Sequence, residues 1–242
     1  MPDPLFADPR LAALYDVVEG ARPDLDGYLD LVAELGATRV VDLGCGTGTL
    51  ACALAERGVT VTGVDPAAAS LTVARAKPGA EGVEWIAGGP ERIPPHRHDL
   101  VLMTGNVAQV FLTDAEWDDA LACAAAGLVP GGHLVFESRV PARRAWEAWT
   151  RGHTERTVDA GETGAVTIWC ELLAVDLPLV SFRWSHRFER GGEVLTSDST
   201  LRFRDLDELR DSIARAGLVV ADVRDAPDRP GLEHVVVASL SR

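Results

Sequence analysis

Lysine is almost missing from this 242-residue chain: Lys77 is the only one, so nearly all of its 23 basic residues are arginine. That bias describes composition rather than function. Positive charge is also short, with 37 acidic residues and a formal net charge of −14. Such a surface repels phosphate backbones and anionic lipid, which argues against nucleic acid or a membrane as partner. No stretch approaches the roughly 20 uninterrupted apolar residues of a membrane span. The opening MPDPLFADPR places acids and prolines where a secretory leader needs a positive segment and then an apolar run. Cys45, Cys52, Cys123 and Cys170 show neither metal-ligand spacing nor a disulfide framework, and are expected as reduced thiols of a cytoplasmic protein. His96 and His98, in PPHRHD, are the only close histidine pair. Without further ligands at suitable spacing they are expected in a solvated loop before a strand, so no metal site is predicted.

With 47% hydrophobic residues, the chain suffices for one α/β domain with an elaboration. Residues 10–19 and 25–35 carry apolar side chains at helical spacing. RVVDL (39–43) is a short β-branched run that ends at glycines, the pattern of a buried strand. A helical face at Leu50, Ala53 and Leu54 follows, then strand 59–65, helix 66–77, and strands at 83–88 and 98–105. A helix over 114–127 has an acidic start suited to its dipole. LVPGGHLVFES (128–138) is a turn running into a fifth strand. Strands joined by helices at this rhythm predict a parallel sheet with helices on both faces.

Between Arg139 and Arg204 that rhythm stops. AVTIWCELLAVD, LVSFRWSHRFER and EVLTSDSTLRFR read as strands separated by turns at Pro178 and at Gly191-Gly192, an antiparallel insertion. An amphipathic helix (205–217) and strands at 218–226 and 232–240 follow. The connection between these last two strands is too short for a crossover helix, so the last strand should run antiparallel to its neighbour.

The most informative stretch is VVDLGCGTGTL (40–50). Glycines at 44, 46 and 48 let the backbone adopt positive φ and approach a ligand at the carboxyl end of a central strand, where open α/β sheets bind ligands. The dinucleotide fingerprint G-x-G-x-x-G competes for this reading, but the spacing here is one residue short. Asp42 also stands just before the first glycine, poorly placed for a pyrophosphate. An acid about 20 residues downstream, Asp65, fits either pattern.

VVDLGCGTG resembles the first motif of class I S-adenosylmethionine-dependent methyltransferases. VTGVDPA, with Asp65 at the end of the second strand, is similar to the segment where that family binds ribose. LVPGGHLVFES resembles the turn before the family's fifth strand. The likeness covers about residues 37–138 and 205–242. It implies a Rossmann-like seven-stranded sheet with an antiparallel last strand, plus the antiparallel β insertion between the fifth strand and the following helix. Residues 1–36 would form a helical cap and residues 139–204 a β-rich lid or dimerisation subdomain.

The implied activity is methyl transfer from S-adenosylmethionine, with S-adenosylhomocysteine as product, to a small-molecule acceptor by in-line displacement. Positioning and desolvation can supply most of the acceleration, so no catalytic base is required. The implied cofactor set is Asp42, Gly44, Cys45, Gly46, Gly48, Asp65, Pro66, Gly89, Pro90, Glu91, Thr104 and Gly105. One departure stands in GGPERIP: Gly89 occupies the place of an acid that in the family contacts adenine, and Glu91 or a backbone carbonyl would have to replace it. For the acceptor, Asn106, Gln109 and Arg139 are positioning candidates, joined by Tyr15, Phe111 and Trp146. Asn106 could instead serve turn chemistry, and Trp146 ordinary packing. The inserted strands could equally form a homodimer interface. A methyltransferase fold without catalytic activity is the alternative reading.

Overall fold

The computed structural model describes residues 2–241 of the chain. At its centre lies a seven-stranded sheet in the order β10-β11-β5-β4-β1-β2-β3. Its members are β1 (Arg39–Leu43), β2 (Thr60–Asp65), β3 (Val83–Ala87), β4 (His98–Met103), β5 (Leu128–Arg139), β10 (Leu218–Ala226) and β11 (Arg229–Leu240). Strands β3, β2, β1, β4 and β5 run parallel, whereas β11 is antiparallel to both β5 and β10. The expected architecture is therefore present, including the tight turn before the last strand. The chain leaves β1 toward β2 on one side, and β4 lies on its other side. This reversal opens a crevice above the carboxyl ends of β1 and β4.

Two apolar layers sandwich the sheet. Trp117, Leu121, Leu209 and Ile213 from α6 (Asp114–Gly127) and α8 (Leu206–Arg215) pack on Val41, Val101, Leu134 and Phe136. On the opposite face, α3 (Leu25–Glu34) and α4 (Thr49–Glu56) pack Tyr28, Val32, Leu50 and Leu54 on Val40, Leu100, Val135 and Val235. Capping boxes start α6 (Thr113 with Glu116) and α8 (Asp205 with Glu208), satisfying backbone donors that the helix itself leaves free.

Inserted between β5 and α8 is a four-stranded antiparallel sheet in the order β6-β7-β8-β9, comprising β6 (Arg156–Asp159), β7 (Ala165–Asp176), β8 (Leu179–Phe188) and β9 (Val194–Arg202). The strand β6 has no counterpart among the sequence expectations. It is four residues long and lies at an edge, too short to show alternation. The arginine- and tryptophan-rich stretch before it forms two 3-10 turns, Pro141–Arg143 and Ala145–Ala148, and the single-turn helix α7 (Arg151–Thr154). Arg144, at φ 48°, breaks any continuous helix there.

The helices α1 (Pro4–Ala7) and α2 (Pro9–Glu19) bridge the two sheets. Leu5 N donates to Ser197 Oγ (2.9 Å), Ser199 Oγ donates to Asp3 Oδ2 (2.6 Å), and Leu14 and Val18 pack on Val166 and Ile168. On the other side Asp16 pairs with Lys77 (2.7 Å), the terminus of the α5 (Ala68–Arg75) segment, and accepts from Thr47 Oγ1 (2.6 Å). The chain's one lysine thus fastens the cap to the glycine turn.

Two local expectations change. His98 is not in a solvated loop: it is the buried first residue of β4, its ring within 3.4 Å of Thr62 Oγ1 and Gly127 O, and burial holds it below the usual histidine range. β4 stops at Met103 rather than continuing to Gly105, because Gly105 (φ 68°) and Asn106 (φ 62°) both turn into the left-handed region.

Candidate active site

The three glycines of the turn after β1 all have positive φ, at 75°, 53° and 77° for Gly44, Gly46 and Gly48. Their surroundings separate them. A Cβ on Gly44 would overlap the Val107 side chain, and one on Gly48 would overlap Trp85, so both make room for protein. A Cβ on Gly46 would meet nothing within 4 Å, and the same holds for Gly105 at the exit of β4. Both lie just beyond the ends of β1 and β4, the two strands that flank the switch point.

One acid holds the turn and a second is buried beside it. Asp65, at the end of β2, accepts from Gly46 N (2.8 Å) through Oδ2 and from Ala67 N (2.7 Å) through Oδ1. Burial raises its carboxyl above the usual range, opposed by these two N–H groups. Each oxygen keeps a lone pair for a further donor such as a hydroxyl. Asp42 is buried one residue inside the turn, and burial, opposed by Arg22 and reinforced by Asp65, pushes its carboxyl up to about 7. Cys45 is buried beside it and its thiol is pushed up by the same burial, which makes it packing rather than a nucleophile. Pro66 is exposed ahead of α5. Beyond β3, Gly88 N donates to Asp65 O (3.0 Å), and Pro90 begins a 3-10 turn. Glu91 Oε1 accepts from Gly89 N (3.0 Å), which brings a carboxylate to the place where Gly89 lacks one.

On the other side of the crevice, the exit of β4 enters a buried polar network. Thr104 and Gly105 lead to Asn106, whose backbone N donates to Glu137 Oε1 (2.8 Å). Asn106 Nδ2 donates to the same oxygen (3.2 Å) and reaches both oxygens of Glu233 (3.4 Å). Tyr28 Oη donates to the other Glu137 oxygen. Glu233 pairs with Arg139 (3.3 Å) and Arg229 (2.8 Å). Arg139 donates to Gln109 Oε1 (3.1 Å), and Gln109 Nε2 donates to Arg202 O (3.2 Å). Asn106, Gln109 and Arg139 therefore converge in one constellation. Hydrogen bonds and ion pairs within the network hold all three side chains, although Asn106 Oδ1 is buried without a partner.

The remaining acceptor candidates part company. Trp146 is buried against Phe203 (ring centroids 4.7 Å), Val180 and Leu201, inside the insertion's own core. Phe111 packs on Trp117 (5.9 Å), toward the α6 layer. Tyr15 contacts Phe6 (5.6 Å) under the cap, and burial raises its hydroxyl pKa. Trp149 is the tryptophan that meets the network, with the Arg139 guanidinium 5.4 Å from its ring centroid. Sequence reasoning missed Arg22, Tyr28, Glu137 and Glu233. Arg22 is clamped to Asp24 by three hydrogen bonds (2.8, 3.2 and 2.5 Å) and lies within electrostatic reach of Asp42 and Glu137. One signal was available: FES and LEH each place an acid inside an otherwise apolar strand.

Residues 40–132 match the family described as "Methyltransferase domain". The ubiquinone biosynthesis O-methyltransferase of Paracidovorax citrulli is 53% identical over 49 residues, 20% of this chain and 21% of that protein. The matches to curated relatives span from about a fifth to somewhat over half of those proteins. Among solved structures, the CcbJ methyltransferase of Streptomyces caelestis is 26% identical, covers 96% of both chains and has a TM-score of 0.77. CalS10 of Micromonospora echinaspora, an amino pentose methyltransferase solved with S-adenosylmethionine bound, is 24% identical over 95% of each chain, with a TM-score of 0.74. The strand order with its antiparallel finish, the glycine turn and these likenesses agree: they support a class I S-adenosylmethionine-dependent methyltransferase.

Proposed function

We propose that this protein transfers a methyl group from S-adenosylmethionine to a small-molecule acceptor lying between the carboxyl edge of the central sheet and the inserted sheet. The observation that carries the reading is Gly46, open where a side chain would stand and tied through its N–H to Asp65. When bound, the cofactor supplies an electrophilic methyl group on a sulfonium. Gly46 and Gly105 leave it room, the free lone pairs of Asp65 accept from ribose hydroxyls, and Glu91 with the backbone of Gly89 and Pro90 borders the adenine. Asn106 and Arg139, locked by their neighbours, orient the acceptor, and α2 with Tyr15 excludes water from above. Fixed geometry in a dry site suits a displacement that needs alignment more than proton transfer.

The net charge of −14 favours a small acceptor over nucleic acid. Four free cysteines suit a reducing, cytoplasmic setting. Among the described residues, no helix is long and apolar enough to cross a membrane. The exposed edges of the inserted sheet suit a homodimer. Titration with S-adenosylhomocysteine under thermal denaturation tests the cofactor reading: ligand bound only by the native state raises Tm with concentration, and an unmoved Tm at millimolar ligand would refute it.

A further inference from the structure

The similar proteins include enzymes named for methylating oxygen and for methylating amino sugars, so likeness alone leaves the acceptor atom open. The charges around Glu137 address it. Four carboxylates, Asp24, Asp42, Glu137 and Glu233, and three guanidiniums, Arg22, Arg139 and Arg229, face one another between the start of α3 and the carboxyl ends of β1, β5 and β11. Arg22 is taken by Asp24, while Arg139 and Arg229 are taken by Glu233, with Arg229 also reaching Asp228 (3.3 Å). Glu137 has no ion-pair partner among the described residues and is only 5% exposed. Its oxygens accept from three neutral donors: Tyr28 Oη on one, Asn106 N and Nδ2 on the other. Burial, reinforced by Glu233, raises its carboxyl above the usual range, opposed by the Tyr28 and Asn106 donors; with donors on both oxygens it is badly placed to take a proton from substrate. Beside it, Asn106 Oδ1 is buried without any hydrogen-bond partner, although Nδ2 is saturated. A carboxylate without a direct ion pair and an orphaned carbonyl thus stand side by side, and the guanidiniums of Arg22, Arg139 and Arg229 act on the carboxylate only from a distance. Isolated buried charge of this kind is costly unless a cation completes it.

Resting on the methyltransferase reading above, we propose that Glu137 is the fixed counter-charge of the methyl-transfer position and that the acceptor is an amine. The nitrogen lone pair forms the new N–C bond while the S–C bond breaks and its electron pair leaves with sulfur. Positive charge thereby passes from sulfur to nitrogen, and a proton then leaves nitrogen to solvent. A carboxylate on the acceptor side of the crevice, preorganised by Tyr28 and Asn106, stabilises the charge at its destination without touching it. A hydroxyl acceptor must shed its proton as the bond forms, and Glu137 in its present hydrogen bonds is badly placed to take it.

Binding tests this without turnover. Sinefungin carries an ammonium-bearing carbon where S-adenosylmethionine carries its methyl sulfonium; S-adenosylhomocysteine is neutral there. Calorimetry should show sinefungin binding the wild-type protein more tightly than S-adenosylhomocysteine, by about tenfold. That preference should collapse in Glu137→Gln and persist in Glu137→Asp, which keeps the charge while perturbing the packing. A preference unchanged in a folded Glu137→Gln variant overturns the counter-charge, as does one lost equally in a folded Glu137→Asp variant. If neither ligand binds the wild-type protein, the cofactor reading itself fails. A product carrying its new methyl on oxygen or carbon overturns the amine.

Discussion

The two halves of the crevice are built by different means. Around the glycine turn, Gly46, Asp65 and Ala67 lie within 22 residues of one another, and their hydrogen bonds run from backbone N–H to side-chain oxygen. On the acceptor side, Tyr28, Asn106, Glu137 and Glu233 come from four distant parts of the chain and meet through side chains. Backbone-built sites follow from local conformation, which glycine spacing announces. Side-chain networks follow from strand pairing, here the register that sets Glu233 opposite Arg139 and Glu137 opposite Val235.

If the acceptor side is held by charge pairing, removing Glu233 should do the most damage. Glu233→Ala leaves Arg139 and Arg229 without their shared carboxylate, and urea unfolding should show a loss of about 3–5 kcal/mol. At temperatures where the variant is folded, its S-adenosylhomocysteine affinity should stay close to wild type. A loss of that affinity as well would show that the two halves are one unit. Asp65→Ala is the reverse experiment. It should weaken S-adenosylhomocysteine binding on the order of 100-fold in calorimetry, through lost hydroxyl contacts and a loosened turn, with a smaller change in stability.

Asp42 offers a probe by pH. Its carboxyl sits at about 7 in the folded protein and near the ordinary aspartate value when unfolded. Between those values the native state holds a proton that the unfolded state releases, so this group makes stability fall as pH rises from about 4 to about 7, by up to about 1.4 kcal/mol per unit. In Asp42→Asn that fall should vanish. Denaturation curves at pH 5 and pH 7 should show the variant gaining on wild type at the higher pH, and parallel pH profiles would mean the carboxyl is not strained by burial. The smallest effect belongs to the latch between cap and turn. Lys77→Met removes a partly exposed ion pair, so its stability cost should stay below about 1 kcal/mol. Stopped-flow exchange of S-adenosylhomocysteine should nevertheless become faster if α2 closes over the site.

Sequence reading reached the central sheet because its signals are local: β-branched runs ending at glycine, a proline-glycine-glycine turn before β5, and a connection too short for a helix before β11. The three long inserted strands announced themselves by their turns. β6 did not, because its Arg-Thr-Val-Asp sequence has no apolar alternation and borrows its order from pairing with β7. Trp146 looked like a lid residue since tryptophan is equally at home in a pocket and in a core. Only the T-shaped contact with Phe203 decides for the core. Glu137 and Glu233 escaped notice because an acid inside an apolar run reads as a strand's exposed face until the register shows that it is not.

The bridge formed by α1 has a consequence for how the molecule comes into being. Leu5 and Asp3 find their partners at Ser197 and Ser199, nearly the full length of the chain away. At about 5–20 residues per second, synthesis leaves that first segment without its partner for roughly 10–40 seconds. The helices α1 and α2 are thus the first part made and among the last to dock. The crevice beneath them is completed only after both sheets exist, so a nascent chain passes through a stage in which its pocket is assembled but uncovered.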